Sequence, residues 1–436
     1  GKSVSKMSSF FANASYSYLD KYILTGALRY DGSDIIGNDN QFTPLWNVGL
    51  RLNLHREEFM KRWMWVDQFA VRGGFGYTGS IDKNALPFVV MTLGQSVVYD
   101  GQTVPTSFSY PNPNVKWQTK QDMNVGLDLS LFDYRLELGV NYYHNITRDV
   151  LDRKALPYSS GRNEVTENVA DIYNSGWEID LGVTLLKNKS FQWYAKANIA
   201  INDNKVKNTY YKETKDLPKA TLSNAHQFVE NQPVNGWYGY KFAGINPING
   251  AVMTYTGNGE ATLDMSVSGA TWPTPSVFYL GNLTPPVVGG FSTSANWKQL
   301  IFSANFEFKT GHKIKSFNTF RSLDARNRHT SEANRWREPG DITNVPAMSE
   351  AFTTYSSYMY DILLEKGNYL RCSYMTLGYN LKPEWLHKIG FSTARLSFTA
   401  KNLFTISSYS GIDPALMGSF GYPNSRKYTI TLNVGF

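Results

Sequence analysis

Five carboxylates, Asp128, Glu137, Glu178, Asp180 and Glu307, stand with Asn, Ser and Gly at alternate positions of otherwise apolar stretches. In extended chain, residues two apart share a face, so these acids all lie on the polar side of whatever sheet they build. Two carboxyls on one face can divide acid and base work between them. Carboxylates on a wet sheet face are also ordinary, and that is the reading adopted. The histidines, His55, His144, His226, His312, His329 and His387, show no H-E-x-x-H spacing and no neighbouring cysteine, so no zinc set is built. His144 precedes an acid-rich segment and could in principle serve a hydrolase as base; it is read as a solvated histidine at a loop edge. GFGYTG at 74–79 satisfies G-x-G-x-x-G, yet no helical pattern follows and no βαβ unit surrounds it. Its glycines are read as small residues inside a strand. Cys372 is the single cysteine, which excludes an internal disulfide and a multi-cysteine metal site. By parity it falls on the polar face, as an inert small residue. No catalytic residue, metal or cofactor is assigned, and no enzyme is expected.

Binding chemistry is better represented. Trp237, Tyr238 and Tyr240 in GWYGYKFAG offer ring faces that stack on sugars or pack against peptides. Arg321, Arg326 and Arg328, followed by Arg335 and Arg337, lie in RSLDARNRHTSEANRWREPGD and suit an anionic ligand or a lipopolysaccharide phosphate. An ordinary hydrated loop is the alternative. Trp63, Trp65, Trp117, Trp193, Trp297 and Trp385 fall near expected strand ends, where amphipathic rings form an interfacial girdle.

The elements that must carry these residues are strands. MNVGLDLSL sets Met123, Val125, Leu127, Leu129 and Leu131 against Asn124, Gly126, Asp128 and Ser130. WEIDLGVTL and YTITLNVGF repeat the pattern, which is that of a sheet with one apolar face. Aromatics make up 15% of the 436 residues, too many for a disordered chain. No apolar run approaches the roughly 18 residues a spanning helix needs. The net charge of +7 is scattered rather than striped, which argues against nucleic acid. The opening GKSVSKMSSFF has no apolar core of signal-peptide length, so the chain is read as cytoplasmic or as part of an exported product.

Thirteen strands are expected, at 8–19, 21–31, 44–54, 68–79, 117–131, 134–147, 174–186, 190–206, 285–298, 300–311, 367–381, 392–404 and 426–436. Short connections alternate with long ones at 80–116, 148–173, 207–284, 312–366 and 405–425. That rhythm belongs to outer-membrane barrels, with short periplasmic turns and long extracellular loops. Single-chain bacterial barrels have even strand numbers, so an odd count points to a barrel part, with the rest of the wall outside 1–436. Within 207–284, the run GWYGYKFAGINPINGAVMTY is expected to form a β-hairpin over the mouth, turning at Asn249–Gly250.

Several stretches, in order, resemble the SusC/RagA family of TonB-dependent outer-membrane transporters of Bacteroidetes. They are YSYLDKYILTGALRYDGSD (16–34), PLWNVGLRLN (44–53), VRGGFGYTGS (71–80), PNPNVKWQTKQDMNVGLDLSLF (111–132), NSGWEIDLGV (174–183), GNYLRCSYMTLGYNL (367–381) and AKNLFTISSYSGIDP (400–414). The resemblance covers the family's C-terminal half and departs from it at Arg371–Cys372–Ser373. It implies an all-β, transmembrane antiparallel β-barrel of 22 strands, of which this chain supplies the last thirteen. The N-terminal plug, the TonB-contacting segment and the first strands are expected elsewhere. It further implies TonB-driven import of an oligosaccharide or peptide nutrient, and a SusD-like surface lipoprotein seated on the loops. Outer-membrane lipid and lipopolysaccharide would surround the wall, and Phe436 would be the terminal aromatic engaged in barrel assembly. The rival readings are a passive porin, a structural or adhesive barrel, and an outer-membrane hydrolase.

Overall fold

The computed structural model describes residues 6–34, 36, 41–81, 90–99, 102–109, 116–155, 159, 164–217, 228–263, 275–316, 333–348, 359–386, 390–418 and 421–436. The chain opens with β1 (Met7–Tyr18), β2 (Tyr22–Ser33), β3 (Phe42–Asn53) and β4 (Val66–Ser80). A separate hairpin follows, β5 (Val90–Tyr99) and β6 (Gln102–Ser109). Then come β7 (Gln118–Leu131), β8 (Leu136–Ala155), β9 (Glu164–Lys187) and β10 (Phe191–Lys207). Short strands succeed them: β11 (Gly236–Gly239), β12 (Phe242–Ile245), β13 (Val252–Tyr255), β14 (Ala261–Leu263) and β15 (Phe278–Asn282). The chain continues with β16 (Val287–Trp297), β17 (Leu300–Thr310), β18 (Lys313–Lys315), β19 (Leu364–Lys366), β20 (Tyr369–Asn380), β21 (Thr393–Ser407) and β22 (Lys427–Gly435).

Thirteen of these form one sheet, in the order β1-β2-β3-β4-β7-β8-β9-β10-β16-β17-β20-β21-β22. Each wall strand pairs antiparallel with its neighbours, and these are the thirteen strands the alternation identifies. Among the described residues β1 and β22 each have a neighbour on one side only, so the sheet is open. Its alternating side chains sort onto two faces. One apolar row runs from Ile430 through Phe398, Leu377 and Phe302 to Ala295 and Trp193. Neighbouring rings reinforce it: Phe291 stacks on Phe306 at 4.5 Å, and Phe398 on Tyr428 at 6.1 Å. Ile430 is 75% exposed and Leu377 53%, a contiguous apolar surface that water would not tolerate and lipid would.

The connections at one rim are tight. Leu19 and Asp20 both have positive φ, as the primed hairpin turns require, and the Lys21 N–H donates to the Tyr18 carbonyl at 2.9 Å. At the opposite rim the connections are long, with one correction. The loop expected at 148–173 is largely the continuation of β8 and β9, which stay paired to Ala155 and Glu164. A register shift at 147–151, with Asp149 at φ 58°, breaks the alternation there and hides the strand from a pattern search. His144 accordingly sits inside β8, opposite Met123 on the apolar side, and not at a loop edge. Among the described residues no helix is long and apolar enough to cross a membrane.

Ile430 and Thr431 are adjacent residues on opposite faces. In the full-length protein, Ile430→Lys should cost about 2–4 kcal/mol of membrane stability and lower the yield of heat-modifiable barrel in outer-membrane extracts. Thr431→Lys should leave that yield unchanged.

Candidate functional site

The polar face is assembled row by row from the strand register. Asp128 lies opposite Gly139, then come Asp180, Asn198, Gly290 and Glu307, and the row ends at Arg371 and Thr405. Three of the five carboxylates singled out in the sequence share this row, and Glu137 and Glu178 flank it on the same face. Their partners are fixed. Asp128 takes one bond from Arg51 Nη1 at 2.9 Å and another from Arg72, so one anion holds two guanidinium groups from β3 and β4. Glu178 accepts from Asn141 Nδ2 at 3.2 Å, and Tyr143 OH donates to Asn202 Oδ1 at 2.7 Å. Glycines make room for these long side chains. A Cβ at Gly126 would stand 2.6 Å from Arg72 Nε, and one at Gly182 would stand 2.6 Å from Tyr194 OH. The face is a wet, cross-linked wall. Among the described residues no group of three or more His, Cys, Asp or Glu gathers to hold a metal.

One buried ion pair ties this wall to the loops. Arg371 is 4% exposed and Asp413 7%, and the guanidinium bonds the Asp413 carboxylate directly. Arg371 Nε also donates to Thr405 Oγ1 at 3.1 Å, and Nη1 lies 3.7 Å from Glu307. Asp413 receives the Ala415 N–H at 2.9 Å and the Asn424 N–H at 3.3 Å, so the same carboxylate closes the turn that follows β21. The sequence flagged Arg371 as out of place but offered no partner 42 residues away. The next residue needs correcting. A bulge between Cys372 and Tyr374 shifts the parity of β20, so Cys372 lies opposite Phe306 and Phe404 on the apolar side. It is fully buried there.

Above the wall, the loops build a second core. Trp237, Tyr238 and Tyr240 pack with Ile245, Val252, Leu280, Met359, Tyr360 and Leu364. Their exposures are 4%, 0% and 1%, so no ring face is open to a sugar or a peptide. The expectation of ligand stacking is therefore corrected: these rings hold the cap together. Trp237 Nε1 donates to the Lys313 carbonyl at 2.9 Å, and the Tyr240 N–H to the Met359 carbonyl at 2.8 Å. The Tyr238 hydroxyl has no partner among the described residues, and burial pushes its pKa up. The hairpin expected in this region is β12–β13, which turns through 246–251, with the Gly250 N–H donating to the Asn246 carbonyl at 2.8 Å. Arg321, Arg326 and Arg328 lie outside the described residues. Arg337 is described, and its Nη2 donates to the Ala333 carbonyl at 2.9 Å. Trp117 leaves the girdle too: it is 5% exposed, packed on Ile36. Trp63, Trp65, Trp193, Trp297 and Trp385 remain exposed. Phe436, 90% exposed, meets Phe391 edge-on at 5.2 Å.

Residues 2–307 match the family described as TonB dependent receptor-like, beta-barrel. The chain belongs to that family. It is 29% identical to TonB-dependent receptor P3 of Formosa agariphila, over 98% of this chain and 45% of the relative. It is 23% identical to TonB-dependent receptor SusC of Bacteroides thetaiotaomicron, over 98% of this chain and 43% of that protein. Among solved structures, the RagAB peptide importer in its open-open state superposes with TM-score 0.78 and 26% identity, over 99% of this chain and 47% of that one. The receptor-barrel chain thus spans about half the length of the relatives it matches. Its sheet is an outer-membrane wall, with the apolar face toward lipid and the polar face toward the lumen.

Two measurements check this site. Arg371→Met in the full-length receptor leaves the Asp413 charge buried and unpaired, at a cost of about 3–5 kcal/mol. Limited proteolysis should then cut within 408–424, and adding Asp413→Asn should restore most of the protection. His312, 3% exposed just beyond β17, is held below its ordinary pKa by burial and then by Lys309. It binds a proton less readily when folded than when open, so opening takes up a proton once the pH falls below about 6.5. Stability of this junction is therefore complete above that pH and declines below it. Hydrogen exchange at 312–316 and 364–368, corrected for intrinsic rates, should accelerate as pH falls from about 7.5 to 5.5. In His312→Gln this dependence should flatten.

Proposed function

We propose that the chain forms the wall, mouth and docking rim of a TonB-dependent importer that carries an oligosaccharide or peptide across the outer membrane. The observation that carries this reading is the open sheet: thirteen strands with a lipid-facing side, a wet side and both edges unpaired among the described residues. Such edges are not tolerated in hydrocarbon, so further strands must complete the ring. The similarity to the RagAB peptide importer supports the import reading, and together with the similarity to SusC it supports a lipoprotein of the SusD kind as partner. In this reading the long-loop rim faces outward, and Arg51, Arg72, Asp128 and the Asp180–Glu307 row face the plug and its hydration water. TonB acts through polypeptide outside 1–436.

The test is uptake by cells expressing the full-length protein, with labelled oligosaccharides and peptides offered in parallel. Import of one class should vanish when TonB is deleted or when the partner lipoprotein is removed. Flux that persists undiminished without TonB would sink the proposal in favour of a passive porin.

A further inference from the structure

At the top of β17, Lys309 lies opposite Tyr369 on the lumen side. Beyond a kink at Gly311, which has φ 86°, the two chain segments pair again as β18 and β19. There Lys313 stands directly opposite Lys366. Like charges facing each other across an antiparallel pair oppose its formation, and a ladder of three residues has little else to offset that. The neighbouring acids do not relieve it. Among the described residues none of Lys309, Lys313 and Lys366 forms an ion pair, because the nearby carboxylates are engaged elsewhere. Glu307 turns to Arg371, Glu365 accepts from Ser410 N and Oγ at 2.7 and 2.6 Å, and Asp361 accepts from the Phe242 N–H at 2.9 Å.

Lys313 is also held in place. The stem of Lys313 crosses Gly281, whose φ of +135° and missing side chain let it pass; a Cβ there would lie 3.0 Å from Lys313 Cδ. The Lys313 carbonyl is anchored by Trp237 Nε1, and the Lys315 ammonium lies 5.4 Å from the centre of that Trp237 ring. The His312 imidazole is clamped against Gly367 with its Nδ1 unpartnered. Burial and the nearby Lys309 both disfavour its charged form.

We propose that Lys309, Lys313 and Lys366 form an oxyanion site at the root of the cap, which takes the carboxylate, sulfate or phosphate group of the imported solute. The proposal rests on the import reading and adds the substrate class: an acidic rather than a neutral oligosaccharide or peptide. Three ammonium groups around one oxyanion convert the repulsion between β18 and β19 into charge-assisted hydrogen bonds. Ligand binding and cap closure are thereby coupled.

The first test uses the purified full-length protein and inorganic sulfate against chloride at equal ionic strength. Sulfate should slow hydrogen exchange in β18 and β19 saturably, and Lys313→Gln with Lys366→Gln should abolish that effect. Lys366→Glu, which sets an acid opposite Lys313, should protect the pair without sulfate. Exchange that is indifferent to the anion, or an unchanged sulfate effect in the double variant, overturns the proposal. The second test compares a sulfated oligosaccharide with its desulfated form, with and without lipid A in the surrounding nanodisc. Preference for the sulfated form should fall at least about tenfold in the double variant. Loss of lipid A binding alone would assign the cluster to the lipid headgroup and overturn the solute assignment. TonB-dependent uptake of only neutral solutes would remove this site while leaving the import reading intact.

Discussion

In hydrocarbon a backbone N–H or C=O without a partner costs several kcal/mol, and the whole wall of this structure answers to that constraint. Thirteen strands meet it by pairing each with the next in sequence, so every wall connection is a hairpin or a longer antiparallel return. Side-chain alternation follows without further instruction, because a pleated strand must point successive residues to opposite sides. The lipid face is consequently mostly apolar, and the lumen face carries Arg51, Arg72, Asp128 and Glu307. The two free edges of the sheet come from the same requirement, which the described residues leave unfinished.

The loops obey different physics. They stand outside hydrocarbon and have water available, so they need a core of their own, and Trp237, Tyr238, Tyr240 and Tyr360 supply it. Two kinds of link join this cap to the wall. Backbone continuity carries β17 into β18 and β19 into β20, while the Arg371–Asp413 pair pins the segment after β21. Glu365, bonded to Ser410, joins the two links to each other. A cap held through a kinked, charge-frustrated two-strand ladder on one side and a buried ion pair on the other has two local places at which it can open.

The misreadings share a cause. Aromatic rings in a long connection look like ligand platforms when the connection is assumed to be solvated, and they become core residues once it folds on itself. Counting residues puts Cys372 on the polar face, and counting fails after a bulge, because one inserted residue exchanges the faces. The β8–β9 extension was lost at the same kind of irregularity, around Asp149. Position near a strand end suggests the interface for Trp117, whereas Ile36 offers it a local apolar seat.

Period-two alternation and the rhythm of short and long connections were enough, without coordinates, to establish the wall: its strand count, its two faces and the acids of its polar side. Those are local properties, set by the pleat and by turns of a few residues. Only the tertiary structure could bring Arg371 to Asp413, set Lys313 opposite Lys366, or close Trp237 inside a core. Each of these depends on register across a bulge or a kink, and on residues tens of positions apart, distances over which a sequence pattern carries no phase.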